Sequence, residues 1–294
     1  MQGYLSQAYA DSLRDYGEPL WLPVAGGWIL QRPIPGTDVS DAMGLYPLFA
    51  CRNWRGLKAD LDALEGRMVS FAAVPDPFGE YDAAVLAAAF RDVVKPFKPH
   101  FVIDTSRPMA ISRHHRYYAR RAAMLLGIEC HGSPLLVAGE FDEAYRHLVA
   151  RHDLSGFKAL SPAALAAQLA VPGAVLFLAT RNGETVAAQV WYVSGEVAYS
   201  HLTALTAAGY ALRASYAVYA AAIDTLRTRV RWLDLGGGAG LGSPDDDGLA
   251  VFKQGWANDA RTAYFCGRIL DRQRYAMLAA ERPPRFFFPV YRTE

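Results

Sequence analysis

Apolar residues gather along the chain in short runs bounded by turn-forming residues. "MVSFAAV" (68–74), "HFVID" (100–104), "AVLFLAT" (174–180), "VAAQVWYV" (186–193), "VAYSHLTAL" (197–205) and "RWLDL" (231–235) have the length and the β-branched and aromatic content of strands. Between them the apolar positions recur every three or four residues. That period predicts helices over 57–65, 82–95, 112–126, 140–151, 161–169, 211–228 and 271–280. "ATRNGETVAAQV" predicts a hairpin, because Asn182 and Gly183 both tolerate positive φ between two apolar strands. The mixture is α/β, with antiparallel strands in the second half.

The same pattern contains a weak echo. "VSFAAVPDPFGEYDAAVLAAAF" leading to "HFVID" reads as strand, glycine-bearing loop, helix and strand, and so does "VAYSHLTALTAAGYALRASYAVYAAAI" leading to "RWLDL". The intervals are comparable, 33 residues from Val69 to Val102 and 36 from Val197 to Leu233, although the letters do not match. A duplicated unit places the domain boundary near Gly139, giving domains 1–138 and 139–294 with the last strand free to return to the first. The length, 294 residues, suits one large domain or two of about 150.

Composition narrows the function classes. Lys and Arg exceed Asp and Glu by one, so no global field draws the chain to nucleic acid or to an anionic membrane, and any basic site is local. Cys51, Cys130 and Cys266 are odd in number and far apart, which argues for free thiols and against a disulfide framework or a zinc site; no metal is expected. The first 21 residues lack a basic stretch followed by an apolar run, and no window approaches a membrane span, so the expectation is a soluble cytoplasmic protein.

The chemistry concentrates in "LDLGGGAGLGSPDDDGLAVFKQGWAND" (233–259), where a strand ends at Asp234 and runs into glycines. Asp234-x-Gly236-x-Gly238-x-Gly240 matches the glycine turn of S-adenosylmethionine-dependent methyltransferases, but that turn follows the first strand of a doubly wound sheet and precedes a helix and several more strands. Here only 54 residues follow Gly240, and Gly242, Pro244 and Gly248 oppose a helix start. No P-loop or G-x-G-x-x-G fits either. A flexible exit from the strand is the plain alternative.

Taken together, "LDLGGGAG", "DGLAVFKQGW" and "YFCGRILDRQRY" resemble the C-terminal signature of the FemAB/FemX-like branch of the GNAT acyltransferases. "ISRHHRYYARRA", "FDEAYRHLVARH", "VPGAVLFLATRNGETVAAQVWYVSGEVAYSHLTA" and "LRASYAVYAAAI" agree with it in order. The resemblance covers about residues 100–275, and more loosely 66–100. It implies two tandem GNAT-like domains with mixed, largely antiparallel sheets splayed at the donor site. The implied chemistry is amide formation, an amine attacking an acyl group carried on a tRNA ester or a coenzyme A thioester.

The resemblance also assigns candidate residues. The Phe-Lys pair of FemX-like proteins lies beside the reacting acyl group, which makes Phe252 and Lys253 catalytic candidates; a protonated Lys253 suits a tetrahedral oxyanion or a nearby phosphate. Lys is scarce in this chain, 5 against 25 Arg, and burial lowers its pKa. A solvated Lys following a strand is the bland counterpart. Asp234 and Asp245–Asp247 are candidates to orient the amine or act as base, the last three equally to cap neighbouring N–H groups. His201 is a candidate base, or a hydrogen-bonded sheet histidine. Gly236, Gly237 and Gly238 are candidates to approach the donor. Against the family's Q/R-x-x-G-x-G/A turn, Thr206-Ala207-Ala208-Gly209-Tyr210-Ala211 keeps Gly209 and the small Ala211 but has Thr206 where a basic or amide residue belongs, with Arg213 as the substitute donor one turn later. Arg113, Arg116 and Arg120 share one face of a helix opened by Ser112, placed to grip phosphate on an acceptor or on tRNA, or merely to be solvated. Tyr46, Arg52 and Trp54 are candidates for the acceptor side, with packing the alternative for the two aromatics.

The expected function is therefore transfer of an aminoacyl group from aminoacyl-tRNA to an amine on a peptide, a peptidoglycan-precursor-like molecule or a natural product, with no tightly bound cofactor. An acyl-coenzyme A donor is the alternative, and a catalytically inactive GNAT-fold binding protein is the alternative of another class.

Overall fold

The computed structural model describes residues 1–156, 159–239, 247–280 and 287–292. The chain falls into two compact units, Tyr4–Phe97 with Thr262–Glu294, and Met1–Gly3 with Lys98–Arg261. The boundary expected near Gly139 thus lies inside the second unit. Contacts, not chain order, define the division, since Thr262–Glu294 packs with the beginning of the chain.

The unit built from both ends of the chain carries α1 (Gln7–Asp11), β1 (Glu18–Leu22), β2 (Gly27–Pro33), β3 (Ser40–Gly44), α2 (Leu57–Ala63), β4 (Ser70–Ala73) and α3 (Ala83–Ala89). The sequence pattern missed β1 to β3, which are short and interrupted by Gly and Pro. Helix α3 opens on Asp82, whose side chain accepts from Val85 N, and stops at Phe90 rather than at 95. Val93, Val94 and Pro96 then favour extended chain, and β5 (Val93–Asp104) begins there. The order of this unit's strands is β1-β2-β3-β4, followed by residues 262–269 of the last strand, with only β3 and β4 parallel. Phe49, Trp54, Leu57, Leu61, Phe71 and Phe90 form its core. Arg268, 1% exposed, is paired with Asp62 and Glu65, so the buried charge has partners.

The other unit continues with α4 (Arg113–Ala123), β6 (Gly127–His131), α5 (Ala138–His152), α6 (Pro162–Leu169), β7 (Ala174–Arg181), β8 (Glu184–Ser194), β9 (Val197–Leu205), α7 (Ala207–Ala211), α8 (Ala214–Leu226), β10 (Trp232–Asp234) and α9 (Gly248–Gln254). The remaining elements are β11 (Asp259–Ile269) and α10 (Arg272–Ala280). The sheet order is β5-β10-β9-β8-β7-β6, antiparallel except for β9 and β10. Asn182 (φ 52°) and Gly183 (φ 84°) turn the β7–β8 hairpin as their sequence requires. Helix α8 packs on β7, β8 and β9, while α5 packs on β8 and β9. Phe177, Trp191, Val218, Ile223, Leu233 and Leu235 are among the buried residues of its core. Strands covered on both faces explain the unbroken apolar runs in the sequence.

The supposed repeat ends differently in its two copies. β9, α8 and β10 form a parallel crossover within one unit. Strand β4 instead pairs with β3 and β11, and residues 100–104 belong to the unit that holds β10. Among the described residues no helix is long and apolar enough to cross a membrane.

Candidate functional site

Strands β9 and β10 run side by side for three residue pairs only, Val197–Trp232, Ala198–Leu233 and Tyr199–Asp234. Strand β9 continues to Leu205 against β8, whereas β10 stops at Asp234, so the sheet opens beyond that pair. The chain then turns at Gly236, whose φ of 77° suits glycine, and whose N–H donates to Asp234 Oδ1 at 2.8 Å. β5 clasps the turn from the other side, with Leu235 N donating to Phe101 O and Phe101 N to Gly236 O.

Two ammonium groups close on the turn. Lys253 Nζ donates to Gly237 O at 2.7 Å and Lys98 Nζ to Gly238 O at 3.0 Å. A Cβ at Gly238 would strike the Asp247 carboxylate, so the glycine lets that acid approach the turn. The same carboxylate caps α9, accepting from Leu249 N and Ala250 N. The helix therefore starts at Gly248 despite the glycines and proline before it, which corrects the expectation that this segment opposes a helix. Lys253 is helical and partly buried, not a solvated residue following a strand. Burial lowers its pKa to about 8, against the pull of the Asp234 charge. Asp245, Asp246 and Gly240 lie outside the described residues.

Asp234, 2% exposed, does not stand free. His100 Nδ1 lies 2.8 Å from Oδ2 and 3.1 Å from Oδ1. A carboxylate only accepts, so Nδ1 carries the proton. Phe252 turns away from Lys253 into an aromatic group with Tyr219 (4.9 Å between centroids), Tyr216 (5.0 Å) and His115 (5.4 Å). His115 is 5% exposed and locks α9 to α4. Its Nε2 donates to Phe252 O at 2.8 Å, and its Nδ1 is 2.7 Å from Ser112 Oγ, while Ser112 N donates to Gly255 O. Among the described residues no backbone N–H reaches Phe252 O, so the imidazole satisfies a helix-end carbonyl. Burial lowers the His115 pKa and keeps the ring neutral. Lys98, His100 and His115 were not singled out from the sequence, because their partners lie 134 or more residues away along the chain.

His201 does not join this group. It bonds Gln168 Oε1 at 2.8 Å, stacks on Tyr192, and burial drives its pKa to about 3. Thr206 caps α7 through Gly209 N and also donates to Val186 O. A Cβ at Gly209 would collide with Val186 O, so this glycine lets α7 lie against β8, and Ala211 ends that five-residue helix. The adjoining cavity of about 560 Å³ is lined by Glu140, Glu143 and Glu184 together with Thr206. Arg213, with φ 54°, stacks its guanidinium 4.2 Å over Tyr118.

Arg113, Arg116, Arg120 and Arg121 are exposed on α4 and, with Tyr117 and Met124, line a groove of about 600 Å³. None of these arginines makes an ion pair among the described residues; Arg121 donates to Tyr117 OH. Tyr46, Arg52 and Trp54 belong to the other unit. Trp54 is buried against Phe49 and Tyr81, Arg52 is exposed and packs its stem on Gly26, and Tyr46 is 39% exposed.

No protein-family model matches the chain, and no curated protein matches it by sequence. Solved structures do match. FemX superposes over 92% of this chain and 93% of its own, with a TM-score of 0.68 and 13% identity. The C-terminal domain of a putative lysylphosphatidylglycerol synthetase from Agrobacterium fabrum gives 0.64 at 14% identity, covering 94% of this chain and 90% of that one. L-PGS from Bacillus licheniformis gives 0.58 at 12% identity, over 91% and 93%. Identities this low speak for architecture alone. The chain shares its α/β fold with FemX, as the motifs around Lys253 led one to expect.

Proposed function

We propose that the protein is an acyltransferase that forms an amide bond, taking an aminoacyl group from aminoacyl-tRNA and giving it to an amine. The observation that carries this reading is Lys253, whose ammonium is held 2.7 Å from Gly237 O by the glycine turn that follows β10. With a pKa of about 8 it is charged at neutral pH, and a fixed charge of that kind stabilises the oxyanion of acyl transfer. The fold shared with FemX and with a lysylphosphatidylglycerol synthetase domain supports the class of reaction.

Two features favour the tRNA ester over acyl-coenzyme A. At the turn where a GNAT protein would hold a pyrophosphate, Gly209 N is already taken by Thr206 and the neighbouring cavity carries three glutamates, which repel an anion. The α4 arginines, by contrast, are open to solvent. From Arg113 to Arg120 they extend about 10 Å along the helix, more than one pyrophosphate needs and a suitable span for a nucleic-acid backbone. This work is expected to take place in the cytoplasm. Incubation with tRNA carrying a labelled amino acid, and separately with labelled acetyl-coenzyme A, each with a lysine-containing peptide as the amine, tests the donor. Label should reach the peptide from tRNA; transfer only from the thioester would replace this reading with that of an acetyltransferase.

A further inference from the structure

The proposed reaction needs a group that removes a proton from the attacking nitrogen, and among the described residues neither Asp234 nor His201, both marked from the sequence, is free to do so. Asp234 has both oxygens engaged, Oδ1 by Gly236 N and His100, Oδ2 by His100. His201 is neutral and bound to Gln168. His100 is different. Its Nδ1 proton is committed to the buried carboxylate, so in the neutral ring Nε2 carries the lone pair. Nε2 makes no hydrogen bond among the described residues, and the side chain is 12% exposed, enough to meet a ligand.

Resting on the acyl-transfer reading, we infer that His100 is the general base of the reaction and that Asp234 holds it in the basic tautomer. The amine nitrogen forms the new C–N bond while its proton passes to His100 Nε2. The acyl C–O bond to the donor ribose breaks, and the same proton returns from Nε2 to the departing oxygen. Amine and ester become amide and alcohol, with atoms and charge balanced and no other reactant needed. Lys253 faces the oxyanion, and Asp234 stabilises the imidazolium that forms between the two steps. Among the described residues, the charged groups gathered at this turn are Asp234 on β10, Lys98 on the strand of His100 itself, Lys253 on α9 and Asp247 at the α9 cap.

The test is the pH profile of transfer from charged tRNA. Wild type should lose rate as pH falls through the titration of the base. His100→Gln, with its fold checked by circular dichroism, should be slower by 100-fold or more and lack that acid limb, and added imidazole should restore part of the rate to His100→Ala. A His100→Gln protein within threefold of wild type, with the acid limb intact, overturns the assignment and leaves the acyl-transfer reading standing. Should these variants not fold, imidazole ¹⁵N spectra of the wild-type protein decide. A proton on Nδ1 is expected, and a proton on Nε2 in the neutral ring overturns it. Absence of transfer by wild type from either donor sinks the acyl-transfer reading itself and His100's role with it.

Discussion

Lys253 concentrates the account at the scale of a residue. An ammonium taken from water and given one carbonyl and a nearby carboxylate costs free energy, which is why its pKa falls to about 8. The sign of the stability effect follows. Between about pH 8 and 10.5 the unfolded chain binds more protons at this lysine than the folded one, so stability gains from this residue as pH rises through that range. Lys253→Met removes this pH-dependent contribution. The difference in unfolding free energy between wild type and variant should move by about 2 kcal/mol in favour of wild type from pH 7.5 to 10. Chemical denaturation at both pH values checks it, and a constant difference would place the ammonium in water. The effect on chemistry is separate: loss of one oxyanion donor lowers turnover by roughly 10²–10³.

The elements show how a short segment becomes a site. Seven-residue α9 is too short to stand alone, and it depends on the Asp247 cap at one end and on His115 at the other. Helix α7 depends on Gly209 lying against Val186 O. Gly209→Ala should therefore cost about 2 kcal/mol and lower the melting temperature by several degrees, read by calorimetry, because the backbone of β8 cannot give way easily. An unchanged melting temperature would mean that Gly209 answers to a ligand and not to packing. The same elements mark how far the sequence could be read. β7, β8, β9 and their hairpin were plain, since both faces are buried and Asn182-Gly183 fixes the turn. Lys253 was legible through a resemblance. β1, β2, β3, β6 and β11 were not found, because half-exposed strands broken by Gly, Pro and charge leave no clear period. His100 was missed for another reason. Its partner lies 134 residues away, and nothing local in "HFVID" distinguishes a base from a strand residue.

Across the whole molecule charge is nearly balanced, so the proposed use of tRNA would have to rest on the local α4 face. Chain ends matter as well. β4 pairs with Cys266–Ile269, Arg268 joins Asp62 and Glu65, and Tyr291 bonds Ser70 and Asp41. A chain cut after Arg261 leaves that unit without its last strand and without the Arg268 and Tyr291 contacts, and should lose cooperative unfolding of the unit and its resistance to protease. Protection of Tyr4–Phe97 in the shortened chain would contradict this. In the proposed reaction the ammonium at the glycine turn drives transfer of an acyl group to nitrogen. Single-turnover transfer of a labelled amino acid from charged tRNA to a peptide amine, compared between wild type and Lys253→Ala at pH 7, measures it most directly. The rate should be at least 100-fold lower in a variant that remains folded, and an equal rate in the two proteins would remove Lys253 from the chemistry.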